Sequence, residues 1–178
     1  MKPDRLICMD LEMCCWDDGR TPRTGEIIEI GIAAVDLKNK VITDRSQYYV
    51  IPEKDGISAF CTELTGITKG RITKAGRPLA DVVESMRKKY GWHGTYGAWG
   101  RDQHVLRKEC DEKGISMPFY EFHNLSSMFM LINGSSKNRM SMRKAMAIKG
   151  LVFEGDQHSG ADDAYNLARL ALKFIRPA

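Results

Sequence analysis

Hydrophobic positions open this chain in short runs set apart by charged or turn-rich segments. Leu6 to Glu12 reads as a first apolar strand that ends on acids. After Cys15 to Arg23, a charged segment rich in turn residues, Glu26 to Asp36 is β-branched and almost continuously apolar, the pattern of a strand buried on both faces. Lys38-Asn39-Lys40 reads as a turn, and Val41 to Val50 returns as a third strand, giving a hairpin-like antiparallel pair. Ile51 to Ala75 has no clear period and is punctuated by Pro52, Gly56, Gly66 and Gly70. It reads as a long loop with short helical turns, a kind of segment often tied to function.

From Pro78 the period changes. Leu79, Val82, Val83 and Met86 recur at helical spacing, so Pro78 to Tyr90 is an amphipathic helix. Thr95 to Trp99 is a short strand, Asp102 to Lys113 a helix stopped by Gly114, and Phe122 to Leu125 a fifth strand. Ser126 to Ile132 and Met140 to Lys149 are helices joined by a polar loop. Gly160 to Ile175 is a final helix that buries Ala164, Leu167, Ala168, Leu170 and Ala171. Strands first, then alternating helix and strand, predict one α/β domain over residues 1–178, with a central mixed five-stranded sheet flanked by helices.

Composition narrows the picture. A chain of 178 residues is long enough for one sizeable core. No apolar run reaches the roughly 20 residues that span a bilayer, and Met1 to Arg5 carries no secretory pattern. The five cysteines are odd in number and form no Cys-x-x-Cys pair, which predicts reduced thiols and a cytoplasmic protein without membrane attachment. The net charge of +4 is mild and suits a polyanionic partner.

The candidate chemistry lies in the acids. Asp10 and Glu12 are two residues apart on a strand, so they share a face. Carboxylates held that close repel unless a cation sits between them, and hard divalent cations prefer such oxygen ligands. Asp102 stands at a strand-to-helix junction, where a plain helix-start acid is also favourable. Ser159 and Asp162 have capping-box spacing, which explains Asp162 and leaves Asp163 without a structural role. Asp163, in the first turn of the last helix, would point back at the sheet. His158, on a mobile loop just before it, would be placed to take a proton near neutral pH. His93, His104 and His123 have no comparable partners and read as structural. These features converge only if the first strand is central and the last helix crosses it. Four carboxylates could then hold two divalent ions, an arrangement suited to attack of water on a phosphodiester.

The ordered set resembles the DEDDh 3′–5′ exonucleases of the ribonuclease-H-like superfamily over nearly the whole chain. Asp10-Leu11-Glu12 resembles the first motif, Asp102 in Trp99 to Gln103 the second, and His158 to Asp163 the third. The runs Asp10 to Trp16, Phe60 to Thr68 and His158 to Ala168 are similar to the Eri-type exoribonucleases, a branch that includes histone-mRNA 3′ exonucleases and KapD-like proteins. The resemblance implies Asp10, Glu12, Asp102 and Asp163 as ligands to two Mg2+ or Mn2+ ions, with His158 as general base. It implies release of nucleoside 5′-monophosphates from the 3′ end of a single strand, RNA being favoured, and it is compatible with a homodimer. By position it also implies Met13, Trp16, Leu64, Thr65 and Ile67 as contacts to the terminal nucleotides. Stacking by apolar or aromatic side chains is tolerant of sequence, while core anchoring of the loop is an equal reading for Leu64 and Ile67. Cys14 stands where the family commonly has a small or hydroxylated residue. The RNA-binding domain appended to the animal histone-mRNA enzymes has no counterpart here, so stem-loop selectivity is not expected. Two competing readings are an enzyme of the same fold directed at DNA or short oligonucleotides, and a non-catalytic nucleic-acid-binding module. Lys137, Arg139, Arg143 and Lys144 form either a phosphate track or, the reading preferred here, a solvated face.

Overall fold

A computed structural model describes residues 5–19, 25–134 and 140–175 of the chain. Lys137 and Arg139 lie outside the described residues. Five strands form one sheet in the order β3-β2-β1-β4-β5. They are β1 (Arg5–Met13), β2 (Ile27–Asp36), β3 (Val41–Tyr49), β4 (Thr95–Ala98) and β5 (Phe122–Asn124). The first three pair antiparallel, and β4 and β5 join them in parallel. The first strand is therefore central, as convergence of the acids requires.

Alternation along β1 assigns its two faces. Ile7, Met9 and Leu11 pack with Ile30, Ile32 and Ala34 of β2 in one core. That core is closed by Leu79, Val82, Val83 and Met86 of α3 (Leu79–Tyr90) and by Leu106 and Cys110 of α4 (Asp102–Glu112). Leu6 and Cys8, with Ala33 and Val35, pack on the other face against α7 (Gly160–Phe174). Asp10 and Glu12 continue this second face by the period-2 rule. The helix meets it with Ala164, Ala168 and Ala171, short side chains that let the helix axis approach the sheet closely.

The segment expected to be mostly loop contains two seven-residue helices, α1 (Ala59–Thr65) and α2 (Lys69–Ala75). Ser58 and Thr68 cap them by accepting the amides of Cys61 and Arg71. Two turns are too short for an apolar period to emerge, so the caps were the usable signal, each contributing about 1 kcal/mol. Asn124 and Ser141 likewise start α5 (Leu125–Ile132) and α6 (Met142–Ile148). These caps fix both helix starts within two residues of the expected positions.

Strand β2 is buried along nearly its whole length, and one of its residues is a glycine for a steric reason. A Cβ on Gly31 would sit 1.9 Å from the carbonyl carbon and oxygen of Gly160, the first residue of α7. Both contacts are backbone, so neither can swing aside. Gly31→Ala is expected to destabilise the protein by about 1–3 kcal/mol or more, the usual cost of overpacking. Urea unfolding of the two proteins measures it, and equal midpoints would contradict the contact.

Candidate active site

The register of β1 against β2 organises the site. Asp10 lies opposite Gly31, and Glu12 opposite Glu29. Opposed residues of an antiparallel pair share a face. Beside one acid there is thus no side chain, and beside the other there is a second carboxylate. The N-terminus of α7 fills the space over Gly31.

The expected capping box does not form. Ser159 makes no side-chain bond at the start of α7. Glu29 performs the function from the sheet, accepting the Ala161 amide at 2.9 Å and also that of Gly160. Gln47 of β3 donates to the same carboxylate at 3.0 Å. Glu29 is only 1% exposed. A buried carboxylate left unbonded is costly, and unpaired amides at a helix N-terminus are ready donors, so the sheet acid displaces the serine hydroxyl. Asp162 is turned elsewhere: it accepts the Asp156 amide at 2.8 Å and pairs with Arg45.

This anchoring brings Asp163 over the end of β1. Carboxylate oxygens of Asp10, Glu12 and Asp163 lie within 4.8 Å of one another. Asp163 also has a local role, since its Oδ2 accepts the His158 amide at 3.0 Å. His158 itself is exposed and takes a left-handed backbone conformation, φ 59°. The loop that carries it is bonded to α7 rather than free. Asp102, the first residue of α4, lies close enough to raise the Asp10 carboxyl, but it stands outside the 4.8 Å group.

The electrostatics reflect this crowding. Burial, then the charges of Asp102, Asp163, Glu12 and Glu29, hold the Asp10 carboxyl well above the ordinary aspartate range. Burial, then Asp163, Glu29 and Asp102, push Glu12 up to about 8. Asp163 is raised to about 6, chiefly by burial, although the His158 amide opposes the shift. Among the described residues of this cluster the donors to a cation would all be oxygens. A set of hard, mutually repelling carboxylates fits a divalent ion such as Mg2+ or Mn2+, whose charge relieves both the burial and the repulsion.

The acids lie in a cleft of about 520 Å³ that Met13, Leu64, Trp99, Met142, Gln157 and His158 also line. Of the predicted nucleotide contacts, Met13 and Leu64 border this cleft. Trp16 packs beside it against the small core of Cys14, Ile28, Cys61 and Ile67. Thr65 and Ile67 border a neighbouring cavity of about 350 Å³. Ile67 is 1% exposed, and the Thr65 hydroxyl bonds to the Cys61 carbonyl and the Ile67 amide, so both anchor the end of α1, the helix that carries Leu64. Cys14 is buried, with its thiol pushed up to about 12 mainly by burial. Arg143 is exposed and near enough to Asp163 to oppose the rise of its carboxyl. Glu29, Trp99 and Met142 were not singled out from the sequence. For Glu29 a signal existed: it is the one charged residue inside an otherwise apolar fully buried strand.

The family model described as Exonuclease, RNase_T, matches residues 7–171. The chain belongs to this exonuclease family. Its relatives include the 3'-5' exonuclease Snipper of Drosophila melanogaster, 32% identical over 96% of this exonuclease and 69% of that protein. The ERI1 exoribonuclease 2 of Homo sapiens is 30% identical over 97% of this exonuclease but only 28% of its own length. The exonuclease thus spans about two thirds of one relative and less than a third of the other. Among solved structures, the nuclease domain of 3'hExo, a DEDDh family member bound to rAMP, superposes with a TM-score of 0.84. It is 24% identical and covered over 90% of its chain, against 96% of this one. The exonuclease therefore has the DEDDh, ribonuclease-H-like fold.

The raised carboxyls give the metal-free exonuclease a defined pH dependence. An unfolded glutamate ionises near 4.5, whereas folded Glu12 holds its proton to about 8. Between those values the native state binds more protons than the unfolded state, so stability falls as pH rises. Asp163 adds to the fall up to about pH 6. Thermal unfolding in EDTA is expected to shift downward from pH 5 to pH 8, and Asp10→Asn is expected to raise the midpoint at pH 8 by removing one buried like charge. Mn2+ should stabilise wild type more at pH 8 than at pH 5. A midpoint that rises with pH in EDTA would contradict the crowding.

Proposed function

We propose that this chain is a metal-dependent 3′–5′ exonuclease acting on the 3′ ends of single-stranded RNA and releasing nucleoside 5′-monophosphates. The observation that carries this reading is the meeting of Asp10, Glu12 and Asp163 within 4.8 Å in a cleft that His158 also lines. Asp10, Glu12, Asp102 and Asp163 would hold two divalent ions, Mg2+ or Mn2+, which when bound make the attacking water more acidic and stabilise the leaving oxygen. The His158 imidazole accepts the proton of that water. Water attacks the phosphorus of the last phosphodiester, the bond to the 3′-oxygen of the penultimate nucleotide breaks, and the terminal nucleotide leaves with its 5′-phosphate. Met13 and Leu64, on the cleft wall, give apolar surface for the terminal base, and Trp16 supports the segment that carries Met13.

Two observations favour RNA. Relatives at 30% identity are named exoribonucleases, and the run Phe60 to Thr68, which contains Leu64, resembles that of the Eri-type exoribonucleases. A second reading, DNA as substrate, is favoured by the Drosophila relative, whose name specifies an exonuclease without RNA. The non-catalytic reading is disfavoured by the convergence of the acids, which a binding module would not need and which costs stability.

The expected result is stepwise shortening of 5′-labelled RNA in Mg2+ or Mn2+, faster than of matched DNA and abolished by EDTA. Asp10→Ala should be inert with its fold intact. His158→Ala should lose roughly 10²–10⁴-fold in kcat. Shortening by Asp10→Ala at the wild-type rate would sink the assignment, and faster cleavage of DNA would transfer it to the second reading.

A further inference from the structure

The chain leading into His158 is held to α7 at every second residue. Arg169 donates to the Val152 carbonyl at 2.8 Å and pairs with the Glu154 carboxylate at 2.7 Å. Asn166 takes both backbone groups of Glu154: its Oδ1 accepts the amide at 3.0 Å, and its Nδ2 donates to the carbonyl at 2.7 Å. Asp162 accepts the Asp156 amide at 2.8 Å. Asp163 accepts the His158 amide at 3.0 Å.

The spacing explains why such a ladder is possible. Residues 169, 166 and 162–163 lie three or four apart, hence on one face of the helix, and each turn climbs about 5.4 Å. Successive turns thus grip residues 152, 154, 156 and 158 of an irregular segment that bends at Gly155 and turns at Gln157 and His158. Gly155, with φ 87°, makes room for the nearest rung, because a Cβ there would lie 2.6 Å from the Asp162 carboxyl carbon. Asn166 is fully buried, although a buried amide needs every partner satisfied. Its remaining bonds, from Nδ2 to the Asp162 carbonyl and to Oδ1 from Arg169, tie it to the neighbouring rungs.

We propose that this ladder is a positioning device for His158, with Asn166 and Asp162 as positioning residues that act through the 154–158 segment. The claim rests on the reading of His158 as the base. The last rung ends on Asp163, so one helix sets both a member of the acid group and the register of the histidine relative to it. The left-handed backbone of His158 is a sparsely populated conformation that surrounding bonds must hold. An imidazole displaced by about an ångström costs a proton transfer up to roughly 10²-fold while leaving binding of the strand alone.

The test compares Asn166→Ala, Asp162→Ala and Arg45→Met with wild type. Arg45→Met removes the ion pair to Asp162 without touching a rung. Amide hydrogen exchange at Glu154, Asp156 and His158 is read in the metal-free proteins, and kcat and KM are read on a single-stranded RNA oligonucleotide. Asn166→Ala is expected to lower kcat by about 10–100-fold with KM within about twofold, and to speed exchange at those amides while β2 stays protected. Asp162→Ala should follow with a smaller loss, and Arg45→Met should retain wild-type kcat. If Asn166→Ala does not fold, Asp162→Ala against Arg45→Met decides alone. Faster exchange with unchanged kcat overturns the positioning role, unchanged exchange overturns the ladder, and an equal loss in Arg45→Met assigns the effect to the ion pair. A wild type inert on RNA and DNA overturns the functional reading and this role with it; an active wild type with unmoved variants overturns this role alone.

Discussion

Backbone contact between β2 and the N-terminus of α7 is the constraint on which the site depends. Gly31 has no side chain, and Gly160 meets it there. Two residues earlier on the same face, Glu29 accepts the amides that open the helix. Because Gly31 lies opposite Asp10 and Glu29 opposite Glu12, the docking point is fixed relative to the strand acids by sheet register alone. Register in a sheet buried on both faces is strongly specified, since a one-residue slip would turn Asp10 and Glu12 into the opposite core. The first turn of α7 then has one place to be, and Asp163 arrives with it.

The same docking concentrates negative charge. Four carboxylates, those of Asp10, Glu12, Glu29 and Asp163, gather on one face of the sheet, with Asp102 near enough to act on three of them. Burial is the largest influence on each of the three carboxyls in the 4.8 Å group, and like charge adds to it. Such a site works against folding in the absence of a counter-ion, and its persistence in a stable scaffold is the ordinary tension between stability and activity. The scaffold offsets it with apolar cores on both faces of the sheet and with the close alanine-lined seat of α7.

Much of this was legible in the sequence. The mixed sheet followed from the types of the elements, and the central place of β1 from the need to bring Asp10, Glu12, Asp102 and Asp163 together. What stayed hidden was set by contacts distant in sequence. The spacing of Ser159 and Asp162 satisfied a local capping rule, yet Glu29, 132 residues from Ala161, supplies the bond. No local rule ranks a serine hydroxyl against a buried carboxylate whose position depends on the folded sheet. The short helical turns expected before Ala75 are α1 and α2, whose bounds were concealed by their length. Asn166 was not singled out, because its partner, Glu154, lies on a segment with no periodic signature.

Glu29 also shows why counting acids cannot assign them. Glu12 and Glu29 lie opposite each other on the same face of neighbouring strands, and only Glu12 stands out in the sequence, by its spacing from Asp10. Their surroundings separate them. The Glu29 carboxylate is engaged by Gln47 and by the amides of Gly160 and Ala161, and each of these bonds lowers its pKa against the effect of burial. The influences on Glu12 are burial and three like charges. Lone pairs already engaged by N–H donors are poor ligands, since a cation would have to displace bonds that also hold the helix in place. Lone pairs facing only other carboxylates have the most to gain from one. The division between a carboxylate that builds the site and one that works in it is therefore made by donors, and the donors to Glu29 belong to the helix that carries Asp163.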